Sequence, residues 1–186
     1  MATVALCTPP FSQLNTPYSA MPFLAGTLKE YGHTPFQYDV GIEVFHMLFS
    51  STGLKRFFDE LSVEFEMSAE LEQHYCSTID PVISYLQGNW PEGSETVLES
   101  GYLPEGPRFS AIQELGEVFY EMSFDEQAHY RASLYIDDLT DLMQQTILPG
   151  FGLSKYNDRL GVSARTFDPI EASLGQSDFI EVLISE

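Results

Sequence analysis

Two short apolar runs near the start of the chain indicate β-strands. Thr3 to Thr8 reads T-V-A-L-C-T and is followed at once by Pro9 and Pro10, which end a strand. A second run extends from Phe36 to Val40 and ends at Gly41. The first run is typical of a strand covered on both faces of a sheet, so we predict a buried strand at Thr3–Thr8 and a second strand at Phe36–Val40.

The stretch between these runs has the spacing of a helix. Between Ser19 and Tyr31, apolar residues recur at helical intervals, and Gly32 follows where a C-terminal glycine cap belongs. Pro22 fits only in the first turn of such a helix, which favours Ser19 as its cap. Strand, helix and strand in this order predict a βαβ unit over residues 1–41 with two parallel, neighbouring strands.

From residue 42 to residue 186 the apolar patterns are nearly all helical, except at residues 89–107, where prolines and glycines favour a loop. The predicted helix starts are Asp80 with Pro81, Ser110 with Gln113, Ser123 with Glu126, and Asp168 with Pro169 and Glu171. On the long helix after Ser123, we expect the acidic residues Asp137, Asp138 and Asp141 to face water.

The predicted fold class is therefore α/β and predominantly helical. The βαβ unit at residues 1–41 begins a Rossmann-like domain, and residues 42–186 are a large helical region inserted in that domain or appended to it. Two strands are too few for a stable parallel sheet, so we expect further strands beyond residue 186. An unfinished sheet exposes its edges, which predicts self-association through the Thr3–Thr8 or the Phe36–Val40 strand.

The charge balance narrows the classes of partner. The chain carries 28 Asp and Glu against 8 Lys and Arg, a net charge of −20. A field of that sign repels phosphate backbones and anionic lipid headgroups, so we expect neither nucleic-acid nor membrane binding. The first residues lack a basic segment, and no apolar run reaches the roughly 18 residues of a membrane span. We predict a soluble, cytoplasmic protein.

The two cysteines, Cys7 and Cys76, are too few for a disulfide framework, and neither lies in a CxxC pair. Cys7 lies in an apolar run and is predicted to be a small buried residue. Reduced thiols agree with a cytoplasmic location.

Several segments, in order along the chain, resemble radical S-adenosylmethionine proteins that have an N-terminal cobalamin-binding-like domain. Members of this family are described as Fe–S oxidoreductases, and some as Mg-protoporphyrin IX monomethyl ester oxidative cyclases. The matching segments are T-P-P-F-S-Q-L-N-T-P-Y at 8–18, Y-D-V-G-I-E at 38–43, D-P-V-I-S-Y-L-Q-G at 80–88, L-P-E-G-P-R-F at 103–109, F-G-L-S-K-Y at 151–156 and T-F-D-P-I at 166–170.

The resemblance implies a protein that uses cobalamin, a [4Fe–4S] cluster and S-adenosylmethionine, with the cluster held by the thiolates of a CxxxCxxC motif. Two cysteines far apart in sequence cannot supply that motif. We therefore expect a truncated, catalytically inactive cofactor-domain fragment that holds no cofactor itself. Its partner is then the remainder of its own polypeptide, the radical domain.

The predicted cofactor site lies at the carboxyl edge of the two strands, where open parallel sheets bind ligands. Its residues are Pro9, Pro10, Asn15, Thr16, Tyr18, Asp39 and Gly41. Cobalamin domains of the lower-ligand type carry a DxHxxG loop after the first strand, but Phe11–Tyr18 contains no histidine. The resemblance thus implies cobalamin without a protein histidine on cobalt. The alternative is a plain strand-to-helix connection.

Other constellations give weaker functional hypotheses. His74 and Cys76 lie near Glu70 and Glu72, but their spacing matches no standard zinc site. The remaining histidines, His33, His46 and His129, are interpreted as structural or exposed. Two alternatives to the radical-enzyme interpretation stay open, namely a stand-alone acidic binding or scaffold protein and a carboxylate or histidine metalloenzyme. The substrate and the reaction stay open too.

Overall fold

A computed structural model describes residues 1–8, 19–61 and 67–148. Within them the protein is mostly helical, with one small parallel sheet of two strands at the N-terminus, which confirms a predominantly helical α/β composition. The described residues up to His46 belong to one compact unit, and those from Met47 onward belong to a second. The helix start at Asp168 lies outside the described residues.

The first unit contains the βαβ arrangement. Its elements are β1 (Thr3–Thr8), α1 (Ala20–Glu30), β2 (Thr34–Asp39) and the start of α2 (Val40–Leu48). Strands β1 and β2 pair in parallel, from Thr3 opposite Thr34 to Thr8 opposite Asp39. The predicted order and direction of the strands are confirmed.

The bounds of α1 agree with the prediction, but the predicted side-chain cap by Ser19 is wrong. Ser19 precedes the helix, although its side chain makes no cap hydrogen bond. Gly32 follows with φ 76°, a left-handed conformation that glycine adopts without steric cost. The prediction for the second strand is wrong at its end, because Val40 begins α2. The reason is local: Asp39 Oδ1 accepts a hydrogen bond from the Ile42 backbone N–H at 3.2 Å, which caps a helix there.

The prediction of a strand buried on both faces is wrong for β1. Its burial alternates, with Val4 and Leu6 half-buried and Thr8 buried, while Ala5 and Cys7 are exposed. Cys7 is therefore an exposed free thiol rather than a buried residue. Alternation of period two is what a strand shows when one face of its sheet is covered better than the other.

The second unit is built from helices. They are α3 (Ser51–Glu60), α4 (Ala69–Leu86), α5 (Gly93–Leu98), a 3₁₀ turn (Pro107–Phe109), α6 (Ser110–Leu115), α7 (Glu117–Glu121) and α8 (Phe124–Gln145). Helix α4 packs against α3 and α8, and α8 also contacts α5 and the 3₁₀ turn. The fully buried side chains of its core include Phe57, Ile79, Tyr85, Tyr135 and Leu139. No helix among the described residues has both the length and the hydropathy needed to cross a membrane.

One predicted helix start of this unit is wrong, and another has the right position, since α6 begins at Ser110, but not the predicted cap. Asp80 and Pro81 lie inside α4, and Asp80 Oδ1 accepts the Ser51 N–H at 2.9 Å, so Asp80 helps to cap α3 instead of its own helix. Ser110 is not a cap either, because its hydroxyl donates to the Pro107 carbonyl at 2.8 Å within the preceding 3₁₀ turn.

The stretch predicted as a loop, residues 89–107, contains the six-residue helix α5. Gly93 is the first residue of this helix. The Trp90 ring packs so closely on it that a Cβ would lie 2.7 Å from the ring atoms. A glycine that reads as a turn signal in the sequence is thus required here by packing against an aromatic ring.

Candidate functional site

The carboxyl ends of β1 and β2 form the described part of the predicted cofactor site. Thr8 and Asp39 are register partners there, and Thr8 is buried. Asp39 is half-buried and caps the start of α2. Gly41 is the second residue of α2 and is buried. Pro9, Pro10, Asn15, Thr16 and Tyr18 lie outside the described residues.

Ligands of open α/β sheets bind beyond the carboxyl ends of the strands, which is where this edge lies. Its described polar side chains are the hydroxyl of Thr8 and the carboxyl group of Asp39. Neither supplies a ligand nitrogen. Within the described parts of the chain, no group of three or more His, Cys, Asp or Glu side chains is arranged to hold a metal ion.

The helical unit contains a polar cluster that the sequence analysis missed. The Tyr85 hydroxyl lies 2.8 Å from Asp125 Oδ1, 2.8 Å from His129 Nδ1 and 3.1 Å from Ser94 Oγ. Ser94 Oγ itself donates to Asp125 Oδ1 at 2.8 Å. The Tyr85 and His129 rings pack with centroids 4.5 Å apart. We call these four residues the Tyr85 cluster.

Three helix ends bring the Tyr85 cluster together. Tyr85 lies in the last turn of α4 and Ser94 in the first turn of α5. Asp125 and His129 lie four residues apart in the first turns of α8, on one face of that helix. The start of α8 is fixed by a capping box in which Ser123 and Glu126 bond to each other's backbone N–H, as predicted.

Hydrogen bonding sets the charge state of the Tyr85 cluster. The hydroxyls of Ser94 and Tyr85 donate to Asp125, and these bonds lower the pKa of its carboxyl group, which is therefore ionised at neutral pH. Burial raises the pKa of Tyr85, which keeps its hydroxyl protonated. His129 Nδ1 lies 2.9 Å from the Asp125 carbonyl oxygen.

A cleft of about 720 Å³ opens beside the Tyr85 cluster. Besides the cluster itself, it is lined by Glu92 and Glu95 of the α5 region, by Pro91, and by Phe124 at the start of α8. Phe124 is 62% exposed. The cleft thus combines a preformed carboxylate with two further acidic side chains and an open aromatic face.

The acidic residues of α8 do not all face water, which corrects another prediction. Asp138 is 6% exposed and accepts backbone hydrogen bonds from Gly106 N at 3.0 Å and Arg108 N at 2.8 Å. Arg108 also forms two hydrogen bonds with Asp141, at 2.5 and 2.8 Å. Asp138 and Asp141 therefore hold the segment 103–109 on α8. The role of these carboxylates is structural.

The other histidines are placed as structural side chains. His74 Nε2 lies 2.8 Å from the Tyr102 carbonyl oxygen, and His33 Nδ1 accepts the Ala2 N–H at 3.2 Å. His129, which is also predicted to be structural or exposed, belongs to the Tyr85 cluster. The capping signal at Ser123 and the i, i+4 spacing of Asp125 and His129 were readable in the sequence. No local pattern could add Tyr85 and Ser94, because they come from other helices.

Comparison of the chain with models of known protein families, with curated proteins and with solved structures finds no significant match.

Proposed function

We propose that this chain is the N-terminal, cofactor-domain part of a cobalamin-type radical S-adenosylmethionine Fe–S oxidoreductase, without catalytic activity of its own. The observation that carries the proposal is the parallel pairing of β1 and β2 through α1, which brings Thr8 and Asp39 to one edge. Such an edge begins a cofactor domain of the α/β kind. A cytoplasmic location belongs to the same proposal.

Two of the segments that resemble the family contribute to the helical unit in a way that supports the proposal. Segment 103–109 is the one held on α8 by Asp138 and Asp141. Segment 80–88 supplies Asp80, which caps α3, and Tyr85 of the cluster.

Of the cofactors that the family uses, this chain has residues suited to cobalamin but not to a [4Fe–4S] cluster. A [4Fe–4S] cluster does not fit, because the two cysteines lie in β1 and α4 and three thiolates are needed. Burial also raises the pKa of the Cys76 thiol, which opposes the thiolate that a metal requires. Cobalamin fits by the position of the strand edge, with Asp39 and Gly41 as described candidate residues. Bound cobalamin would supply cobalt-centred radical or group-transfer chemistry.

The proposal is tested on the gene and on the protein together. The reading frame downstream of the Glu186 codon should encode a CxxxCxxC motif, and the protein expressed from the uninterrupted frame without oxygen should contain iron and retain cobalamin on gel filtration. The matched control is the 186-residue chain, which should hold no iron. A stop codon after Glu186, or a cluster bound by this chain alone, would contradict the proposal.

A stand-alone acidic binding protein is the second candidate function. The observation that favours it is the acidic, aromatic-rimmed cleft of the helical unit, together with the net charge of −20. This alternative expects a stable monomer or dimer with no affinity for a tetrapyrrole. A cobalamin titration followed by visible absorbance, run beside the gene test, separates the two candidates.

A further inference from the structure

The cleft beside the Tyr85 cluster has the charge of a cation site. Three carboxylates line it, those of Glu92, Glu95 and Asp125, and no lysine or arginine is among its described lining residues. All three side chains are exposed, and neighbouring charges of one sign raise the local concentration of the opposite charge. A cationic ligand is therefore favoured over an anionic or neutral one.

The carboxylate of Asp125 is held in place before any ligand arrives. Two hydroxyls, those of Tyr85 and Ser94, donate to its Oδ1, and both come from other helices. Its side chain nonetheless stays 65% exposed, so it is open to a ligand from the cleft. A carboxylate with a fixed orientation loses little conformational freedom on binding, which favours affinity.

The rim of the cleft adds an aromatic surface. Phe124 precedes Asp125 in α8, lines the cleft and is 62% exposed. An exposed phenyl ring offers an apolar face on which an aliphatic chain can pack. A carboxylate beside an aromatic face suits an organic cation, whose charged head meets the carboxylate while its carbon chain covers the ring. A hydrated metal ion would not use the ring in this way.

We propose that this cleft binds an organic cation, namely a primary ammonium or guanidinium group carried on a short aliphatic chain. Asp125 receives the charged head, Glu92 and Glu95 add to the field, and Phe124 packs on the chain. The volume of about 720 Å³ lies within the range of small-molecule sites, roughly 300–1,000 Å³. The group belongs either to a free amine or to a lysine or arginine side chain of another protein.

The protein carries its own reporter for this site. Trp90 is the single tryptophan of the chain, and Gly88 and Pro91 on either side of it line the cleft. Its ring packs on Gly93, next to Ser94 of the Tyr85 cluster. Trp90 is not itself among the residues that line the cleft, but its ring lies beside them, so we expect a bound ligand to change its fluorescence.

The experiment titrates the full chain with butylguanidinium and follows Trp90 fluorescence. Butylurea, which has nearly the same shape and no charge, is the matched ligand control. We expect a saturable signal with butylguanidinium, and binding of butylurea at least about tenfold weaker, since one charge-assisted hydrogen bond is worth about 1.5–3 kcal/mol. Isothermal titration calorimetry measures the same two ligands, and equal binding of both, or no saturable binding by either method, would overturn the proposal.

Variants distinguish the site from general attraction to an acidic protein. Asp125→Asn should weaken butylguanidinium binding about tenfold, and Glu92→Gln should weaken it several-fold through the field alone. Glu99→Gln is the control, because this substitution removes the same charge from a residue that does not line the cleft. Glu99 directly follows the end of α5. If Glu99→Gln weakens binding as much as the other two, the proposal fails.

A folding check and a peptide titration accompany these measurements. Far-UV circular dichroism checks that each variant is folded, and Glu92→Gln keeps the test valid if Asp125→Asn disturbs the Tyr85 cluster. A second titration uses the peptide Gly-Gly-Arg-Gly-Gly amide. Binding of this peptide assigns the site to a protein side chain, whereas binding of butylguanidinium alone assigns it to a free amine.

Discussion

Asp138 shows how one carboxylate can fix a loop. Its two oxygens accept the backbone N–H groups of Gly106 and Arg108, and a Cβ at Gly106 would come within 2.5 Å of its carboxyl carbon. Burial raises the pKa of Asp138, while the two backbone hydrogen bonds oppose that rise. The loop therefore needs both the carboxylate and the glycine that lets the backbone approach it.

Replacing Asp138 by Asn tests this anchor. An amide has one acceptor oxygen, so its NH₂ group must face one of the two backbone donors. We expect Asp138→Asn to lower the free energy of unfolding by about 1–3 kcal/mol, the usual cost of a buried polar group left without a partner. Urea denaturation followed by circular dichroism at pH 7 measures the change.

The control for this substitution is Glu114→Gln, which neutralises an exposed carboxylate on α6. We expect a change within about 0.5 kcal/mol, as for most surface substitutions. A similar loss in both variants would mean that total charge, rather than the anchor of the 103–109 segment, determines the effect.

At the scale of elements, the beginning of α8 is the best-defined helix end. Ser123 Oγ accepts the Glu126 N–H at 3.3 Å, and Glu126 Oε2 accepts the Ser123 N–H at 2.8 Å. The Ser123 hydroxyl also donates to Glu126 Oε2 at 2.7 Å, and this bond and the bond from the Ser123 N–H lower the pKa of Glu126. Because Asp125 and His129 follow directly, this cap also sets the orientation of half of the Tyr85 cluster.

Two serines that look alike in sequence should respond differently to alanine. Ser123→Ala removes a cap and should cost about 1 kcal/mol of unfolding free energy. Ser110→Ala is the matched control, because Ser110 lies inside α6 and bonds only locally to Pro107. Its effect should stay within about 0.5 kcal/mol. Equal losses in chemical denaturation would contradict the assignment of the caps.

Acid should reduce the cost of Ser123→Ala. A carboxyl group with a lowered pKa, such as that of Glu126, stabilises the folded state above its unfolded pKa, and this contribution is lost as the pH falls through the folded pKa. The difference between wild type and Ser123→Ala should therefore be smaller at pH 3 than at pH 7. A difference that grows on acidification would contradict the reciprocal bonding of the box.

At the scale of the whole molecule, the small sheet is the feature with the clearest consequence. Phe36 and Tyr38 of β2 are 48% and 54% exposed, and the described sheet consists of β1 and β2. Strand edges of this kind pair with other chains. We expect the 186-residue chain to self-associate through β1 or β2, with a mass that rises with concentration in light scattering.

Charge on this strand provides the control for self-association. Tyr38→Lys places a cation on the exposed strand, which natural proteins use to block edge pairing, and should shift the chain toward monomer. Tyr120→Lys makes the same change at another exposed tyrosine, in α7, and should leave the association unchanged. A wild-type monomer at all concentrations would contradict the prediction.

The sequence by itself determined what depends on neighbours along the chain. The βαβ order, the bounds of α1 and the cap at Ser123 follow from local spacing, proline and serine positions and a positive-φ glycine. The end of β2 was misplaced because Asp39, a residue of the strand, also caps the next helix. Such a double role leaves little trace in a hydrophobic pattern.

Only the tertiary structure decided the contacts between helices. Asp80 and Asp138 look like a cap and a surface residue in sequence, but their carboxylates bond to backbone N–H groups 29 and 30 or more residues away. The Tyr85 cluster likewise joins the ends of α4, α5 and α8. A polar side chain carries no local signal of which distant donor it will meet, because helix packing brings the two together.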